Sequence, residues 1–324
     1  TLVGGTGGTG NISVTGTGGF FGGTGDGANI LNNGAGTVTF NISGASGSTA
    51  GNGIIVRDTA IGGDISVTTG AVTALALGKN AIDVQSQSLT ANLTEVANGD
   101  IQAGNAGMVA AIFPAAATGN IDVTANGAIT ARFGVDAENF GTGNTTVTTV
   151  GPVNVTTGNG IYASTKGGNV TVTAGDVTST GNIAIIAQQT NAVGAGNIDV
   201  TGGNVSGTTG IVAINSGTGT VGVTANGTVT GTAAEGIMAI GNDAVSVSVA
   251  DAVTGATNGL TLVGGTGGSG NISVTGAGGF FGGTGDGANI LNNGAGTVTV
   301  DISGASGSTG GNGIVVRDTA LGGD

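Results

Sequence analysis

The sequence predicts an all-β chain, a right-handed parallel β-solenoid of about twelve coils, each of about 26 residues laid out as three short strands. The first observation behind this is a recurring motif, roughly Gly-Asn-Ile-x-Val-Thr. Its valine column runs Val14, Phe40, Val67, Glu95, Val123, Val147, Val172, Val200, Val223, Val247, Val274 and Val300, with ten steps in the 260 residues from Val14 to Val274. The second is a longer repetition, in which Thr1–Asp64 returns as Thr261–Asp324 with seven substitutions in 64 positions: Thr9/Ser269, Thr17/Ala277, Phe40/Val300, Asn41/Asp301, Ala50/Gly310, Ile55/Val315 and Ile61/Leu321. The third is composition. Glycine supplies 73 of 324 residues, yet 38% of the chain is apolar and recurs at strand spacing, so there is surface to bury and disorder is disfavoured. Collagen requires a three-residue glycine period and abundant proline, and this chain has two prolines and no such period.

Along one coil the motif strand comes first. Two residues before each valine-column position stand Ile12, Val38, Ile65, Leu93, Ile121, Thr145, Val170, Ile198, Val221, Val245, Ile272 and Val298, and a spacing of two puts both columns on one strand face. Eleven of twelve are apolar in each column, which marks that face as buried. The alternate positions, such as Ser13/Thr15, Asp122/Thr124, Thr171/Thr173 and Asp199/Thr201, are small and polar, as a solvated face requires. A shorter element follows, with Val72, Ile101, Ile129, Val153, Val177, Val205, Val229 and Val253 pointing inward. A second apolar pair closes the coil at Ile54/Val56, Ile82/Val84, Met108/Ala110, Val135/Ala137, Ile161/Ala163, Ile211/Ala213 and Ile237/Ala239. Glycine serves the corners. Asparagine precedes the inward residue at Asn11, Asn92, Asn120, Asn144, Asn169, Asn197 and Asn271, either as a side-chain ladder from Asn92 to Asn197 or simply as a turn former. Glu95 is the misfit of its column. A bulge is expected there, turning Val96 inward and Glu95 to solvent, because an unpaired buried carboxylate is costly.

One such coil cannot close a core, and stacking at about 4.8 Å per coil completes both ladders and core, giving roughly 48 Å for ten coils. The expectation is one continuous solenoid over 1–324, with 1–260 a full tandem unit and 261–324 the start of the next. The chain opens on Thr1 and stops within its second copy at Asp324, so it reads as a window on a longer array.

Charge and cysteine narrow the partners. Eighteen acids against five bases give a net charge of −13, which repels phosphate backbones and anionic membranes, so no nucleic-acid partner is expected. No apolar run approaches the roughly 18–20 residues of a membrane span, so no membrane insertion is expected within 1–324. There is no cysteine for disulfides or thiolate metal sites, and no histidine to act as a base, ligand or triad partner.

At Gly168-Asn169-Val170-Thr171-Val172-Thr173 and Gly210-Ile211-Val212-Ala213 the chain resembles the passenger domains of Gram-negative autotransporters and filamentous-haemagglutinin-like exoproteins, a likeness of repeat style that covers essentially all 324 residues. The resemblance implies a secreted β-solenoid, extracellular or on the cell surface of a Gram-negative bacterium. It also implies an export signal before this window and, in autotransporters, an outer-membrane barrel after it.

Several motifs invite a chemical reading. Gly5-Thr6-Gly7-Gly8-Thr9-Gly10 spells Gly-x-Gly-x-x-Gly, but a strand pattern follows it where a dinucleotide fold needs a helix. Gly22-Gly23-Thr24-Gly25-Asp26-Gly27 is similar to a calcium nonapeptide but occurs once per 260 residues; Asp26, Asp122 and Asp199 are therefore only weak calcium candidates, and no other cofactor is expected. Asp136 and Glu138, near Arg132, form the one local acidic group, more simply read as a solvated loop than as a catalytic pair. Ice binding would need a regular threonine lattice, and only Thr146/Thr148 and Thr171/Thr173 supply threonine at both outward positions. Phe20, Phe21, Phe280 and Phe281 are contact candidates, with one ring of each pair plugging a corner and the other covering it.

The expected function is non-enzymatic: the shaft of an extracellular or cell-surface fibre or giant adhesin, gaining length by stacking coils. Its expected partners are other copies of itself, end to end or side by side, and cell-surface glycans. The alternatives are a glycan-binding or polysaccharide-lyase solenoid, which needs carboxylates converging in a groove, and an ice-binding threonine face.

Overall fold

A computed structural model gives the fold and describes residues 1–5, 7–265 and 270–319. Thr6 of the glycine-rich motif, the substituted positions Ser269 and Leu321, and Asp324 lie outside the described residues. The described residues form strands and turns with no helix, arranged as a parallel β-solenoid of about twelve coils about 26 residues apart. By contact the chain divides into two compact units, Thr1–Lys166 and Gly167–Asp324.

In the first unit, sheet I stacks the motif strands Ile12–Gly16, Val38–Ile42, Ile65–Thr69, Leu93–Ala97, Ile121–Ala125 and Thr145–Thr149 in chain order. Sheet II holds the two- or three-residue strands, among them Val72–Ala74, Ile101–Ala103 and Ile129–Ala131, and sheet III the strands of the second apolar pair, among them Ile54–Asp58, Ile82–Ser86, Ala106–Ile112, Phe133–Asn139 and Ile161–Thr165. Within the unit each strand pairs in parallel with the one three places along the chain, one coil away. The second unit repeats this plan, with sheet I running from Val170–Ala174 through Ile198–Gly202, Val221–Ala225, Val245–Val249 and Ile272–Gly276 to Val298–Ile302.

The predicted inward columns form the core, although Val14, Val298 and Val300 on the outermost described coils are only half-buried. Val38, Val67, Val123 and Val147 in the first unit and Val172, Val245 and Val274 in the second are fully buried, and so are the inward residues of sheet II from Val72 to Val253. Full burial of each such side chain contributes about 1.5–3 kcal/mol.

The polar residues on the inward columns follow two routes. Thr145 is buried and its Oγ1 donates to the Ser164 carbonyl at 2.8 Å, so the column tolerates it. Glu95 contradicts the expected bulge. It faces inward, fully buried, in regular register between Val67 and Val123, while Val96 lies on the outer side between Thr68 and Thr124. Neither Glu95 carboxyl oxygen has a hydrogen-bond partner. Register is a property of the whole strand: a one-residue slip would have expelled Leu93 and Ala97, both buried, to rescue one carboxyl. Burial, reinforced by the charge of Asp83, pushes the Glu95 pKa well above the ordinary 4.5, so the group sits in the core as a neutral acid.

The asparagine ladder forms, chiefly from side chain to backbone. Asn92 Oδ1 accepts the Asn120 N–H at 3.0 Å and Asn120 Oδ1 the Asn144 N–H at 2.8 Å; in the second unit Asn169 and Asn197 receive Asn197 and Thr220 in the same way. Asp64 fills the rung before Asn92 with its carboxylate. Inside the next corner, Asn32 and Asn139, and in the second unit Asn215 and Asn292, are buried amides whose Oδ1 accepts the N–H two residues on and whose Nδ2 donates to a corner carbonyl. Asn32 and Asn292 close their own turns at Gly36 and Gly296, whereas Asn139 and Asn215 reach back to Gly119 and Gly196 on the preceding coil.

Candidate functional site

The outward face of sheet III, which the sequence pattern left undescribed, carries the distinctive surfaces of both units. In the first unit it is charged. Arg57 on Ile54–Asp58 meets Asp83 on the adjacent strand at 3.2 Å. Two coils further, alternation on Phe133–Asn139 points Asp136 and Glu138 outward together, opposite Val109 and Ala111 on one side and Tyr162 and Ser164 on the other. These two carboxylates share a pocket of about 170 Å³ with Phe133, Val135, Asn159 and Tyr162. Gly158 leaves room for the Phe133 ring, since a Cβ there would lie 1.9 Å from it. Arg132, which the sequence placed beside the two acids, instead donates from Nε to Thr157 Oγ1 and does not line the pocket.

Burial, with the nearby Glu138 charge, pushes the Asp136 pKa to about 6, and burial also raises that of Glu138. Asp136 Oδ1 and Asn159 Oδ1 are buried acceptors without a hydrogen-bond partner. The pocket therefore pairs two acids whose pKa values burial raises with two aromatic walls, a set suited to holding a hydroxyl-rich ligand.

In the second unit the same face is apolar. On Ile185–Gln189, Ile211–Asn215, Ile237–Gly241, Leu260–Gly264 and Ala288–Asn292 the outward residues form two in-register rows: Ile186, Val212, Met238, Thr261 and Asn289, then Gln188, Ile214, Ile240, Val263 and Leu291. The signal was present in the sequence as the runs Ala184-Ile185-Ile186-Ala187, Ile211-Val212-Ala213-Ile214 and Ile237-Met238-Ala239-Ile240. Near-continuous apolar runs belong to strands covered on both faces, whereas the sheet I strands alternate.

The two aromatic pairs differ: the second divides between core and surface, whereas both rings of the first are exposed. Phe280, opposite Val253, is fully buried, while Phe281, opposite Thr254, is 38% exposed. In the first copy Phe21 is 74% exposed and Phe20 39% exposed, its ring tilted 5.9 Å from that of the buried Phe40.

The calcium candidates do not assemble into a site among the described residues, where no group of three or more acidic, histidine or cysteine side chains is placed to hold a metal. Asp26 is a ladder rung: Oδ1 accepts the Asn52 N–H and amide, and Oδ2 the Asn29 amide. Partial burial works to raise its pKa, but these hydrogen bonds and Lys79 outweigh it and hold the carboxyl below its ordinary value. Asp122 is exposed between Thr94 and Thr146, and Asp199 between Thr171 and Gly222, neither beside another carboxylate in its sheet. No described helix is long and apolar enough to cross a membrane. Compared with protein-family models, curated proteins and solved structures, the chain matches none, so its geometry carries the functional argument.

Proposed function

We propose that this chain is a structural shaft, a length-building segment of an extracellular or cell-surface fibre of the autotransporter or filamentous-haemagglutinin-like kind. The observation that carries this reading is the junction between tandem units. The last coil before the second copy stacks on the first coil of that copy with Ala239 opposite Leu262, Val245 opposite Ile272 and Val253 opposite Phe280, all of them buried. One unit thus presents the next with a complementary apolar cross-section and a complete set of ladder partners, so length is added without a cap. Electron microscopy of native material tests it. An axial repeat of roughly 48 Å, ten coils at the strand spacing, supports the fibre, and isolated compact particles refute it.

A second reading, glycan binding, is favoured by one feature, the Asp136–Glu138 pocket with Phe133 and Tyr162 as walls. Binding to a polysaccharide panel that Asp136→Asn abolishes would establish it; binding that survives both Asp136→Asn and Tyr162→Ala would remove the pocket from consideration.

A further inference from the structure

We infer that the apolar outer face of sheet III between Ile186 and Leu291 is a lateral docking surface for a second copy of this chain, joined face to face about a two-fold axis. This rests on the fibre reading and names the surface by which its shafts bundle. Register is the first argument. The outward residues stand in register on five adjacent strands, and two such faces pack at about 10 Å with their side chains interleaved, as in a β-sandwich. Charge is the second. A chain of net charge −13 repels its own copies over most approaches, but the two rows from Ile186 to Leu291 hold no ionisable residue, and the first charge beyond them on this face is the cation of Arg317, opposite Leu291. The acids of sheet I in this unit, Asp199 and Asp301, stand on a different sheet.

The chemistry of the face argues against other occupants. A lipid surface is recognised by basic and aromatic residues at the rim of an apolar face, and a sugar by aromatic platforms with polar handles. These rows offer aliphatic side chains, one methionine, and the neutral amides and hydroxyl of Gln188, Asn289 and Thr261. Five strands at about 4.8 Å by five residues at about 3.3 Å give about 400 Å² per copy, hence about 800 Å² for a pair. That is below the roughly 1,200 Å² of a stable independent interface, so one such face associates weakly. A shaft that repeats it every unit engages many faces at once, and avidity makes the pairing persistent.

Because the chain has no cysteine, a single introduced thiol reports the contact. Ile240 lies on Ile237–Gly241, the central strand of the five, so the thiols of two Ile240→Cys copies come close together in a two-fold pairing. Ser248→Cys on sheet I and Thr254→Cys on sheet II are exposed controls. Under mild oxidation of the folded chain, with folding checked by circular dichroism, Ile240→Cys is expected to cross-link at least five-fold more than either control. Adding Ile214→Asp is expected to return it to the control level. Equal cross-linking at the three positions, or no effect of Ile214→Asp, overturns the inference. So does flotation with phosphatidylcholine vesicles that Ile240→Asp prevents, which would make the occupant lipid. If the roughly 48 Å axial repeat persists while cross-linking fails, the fibre stands and only the lateral pairing falls.

Discussion

Replacing Glu95 by valine gives the sharpest test of the core. Val67 and Val123 occupy the same position on the coils either side, so valine has a precedent in both neighbours, with a loss of volume that costs about 1 kcal/mol at most. Against this stands the removal of two buried oxygens without partners, about 1–3 kcal/mol for the neutral acid. Ionisation adds a pH-dependent part. The folded chain keeps Glu95 protonated while the unfolded chain releases the proton above the ordinary value of 4.5, so the unfolded state binds fewer protons and stability falls as pH rises. The slope is about 1.4 kcal/mol per pH unit from there up to the folded-state pKa. Glu95→Val therefore stabilises by roughly 1–2 kcal/mol at pH 4 and by progressively more as pH rises above 4.5. Thermal melts of parent and variant at pH 4, 5.5 and 7 measure the gap, and the difference cancels the similar but smaller drift from Asp58 and Asp136, whose pKa values burial also raises to about 6. A gap that stays constant with pH, or a variant less stable than the parent, would refute a buried neutral Glu95.

Three further outcomes follow from the same geometry. Thr145→Val restores an apolar column at the cost of the bond to the Ser164 carbonyl, so it should change stability by less than about 1 kcal/mol in urea titrations, in contrast to Glu95→Val. Asn120→Ala removes the acceptor for the Asn144 N–H and should cost about 1 kcal/mol, whereas Asn120→Asp keeps the acceptor, as Asp64 does two rungs earlier, and should cost little; hydrogen exchange at the Asn144 amide reports the difference. Gly119→Ala would set a Cβ 1.9 Å from the Ala91 carbonyl oxygen, a backbone atom that cannot swing aside, so the melting temperature should drop by several degrees; an unchanged melt would show that the corner is looser than drawn.

The coil is legible in the spacing of its residues. Side chains alternate with period two along a strand, and every coil must present an apolar inside to the next, so the Ile12 and Val14 columns and the sheet II residues could be read from spacing. Glu95 shows where local reasoning ends. The rule against burying an unpaired acid is sound for one residue, but ladder register is settled by a whole strand and both its neighbours, and Leu93 and Ala97 outweighed one carboxyl. The surfaces needed the tertiary structure for a related reason. Asp136 and Tyr162 are 26 residues apart in the chain and become neighbours only when one coil is laid on the next. The apolar outer face of sheet III was hidden in the sequence because inward Ile211 and Ala213 and outward Val212 and Ile214 form one unbroken run, and hydrophobicity alone does not say which of two faces meets the core.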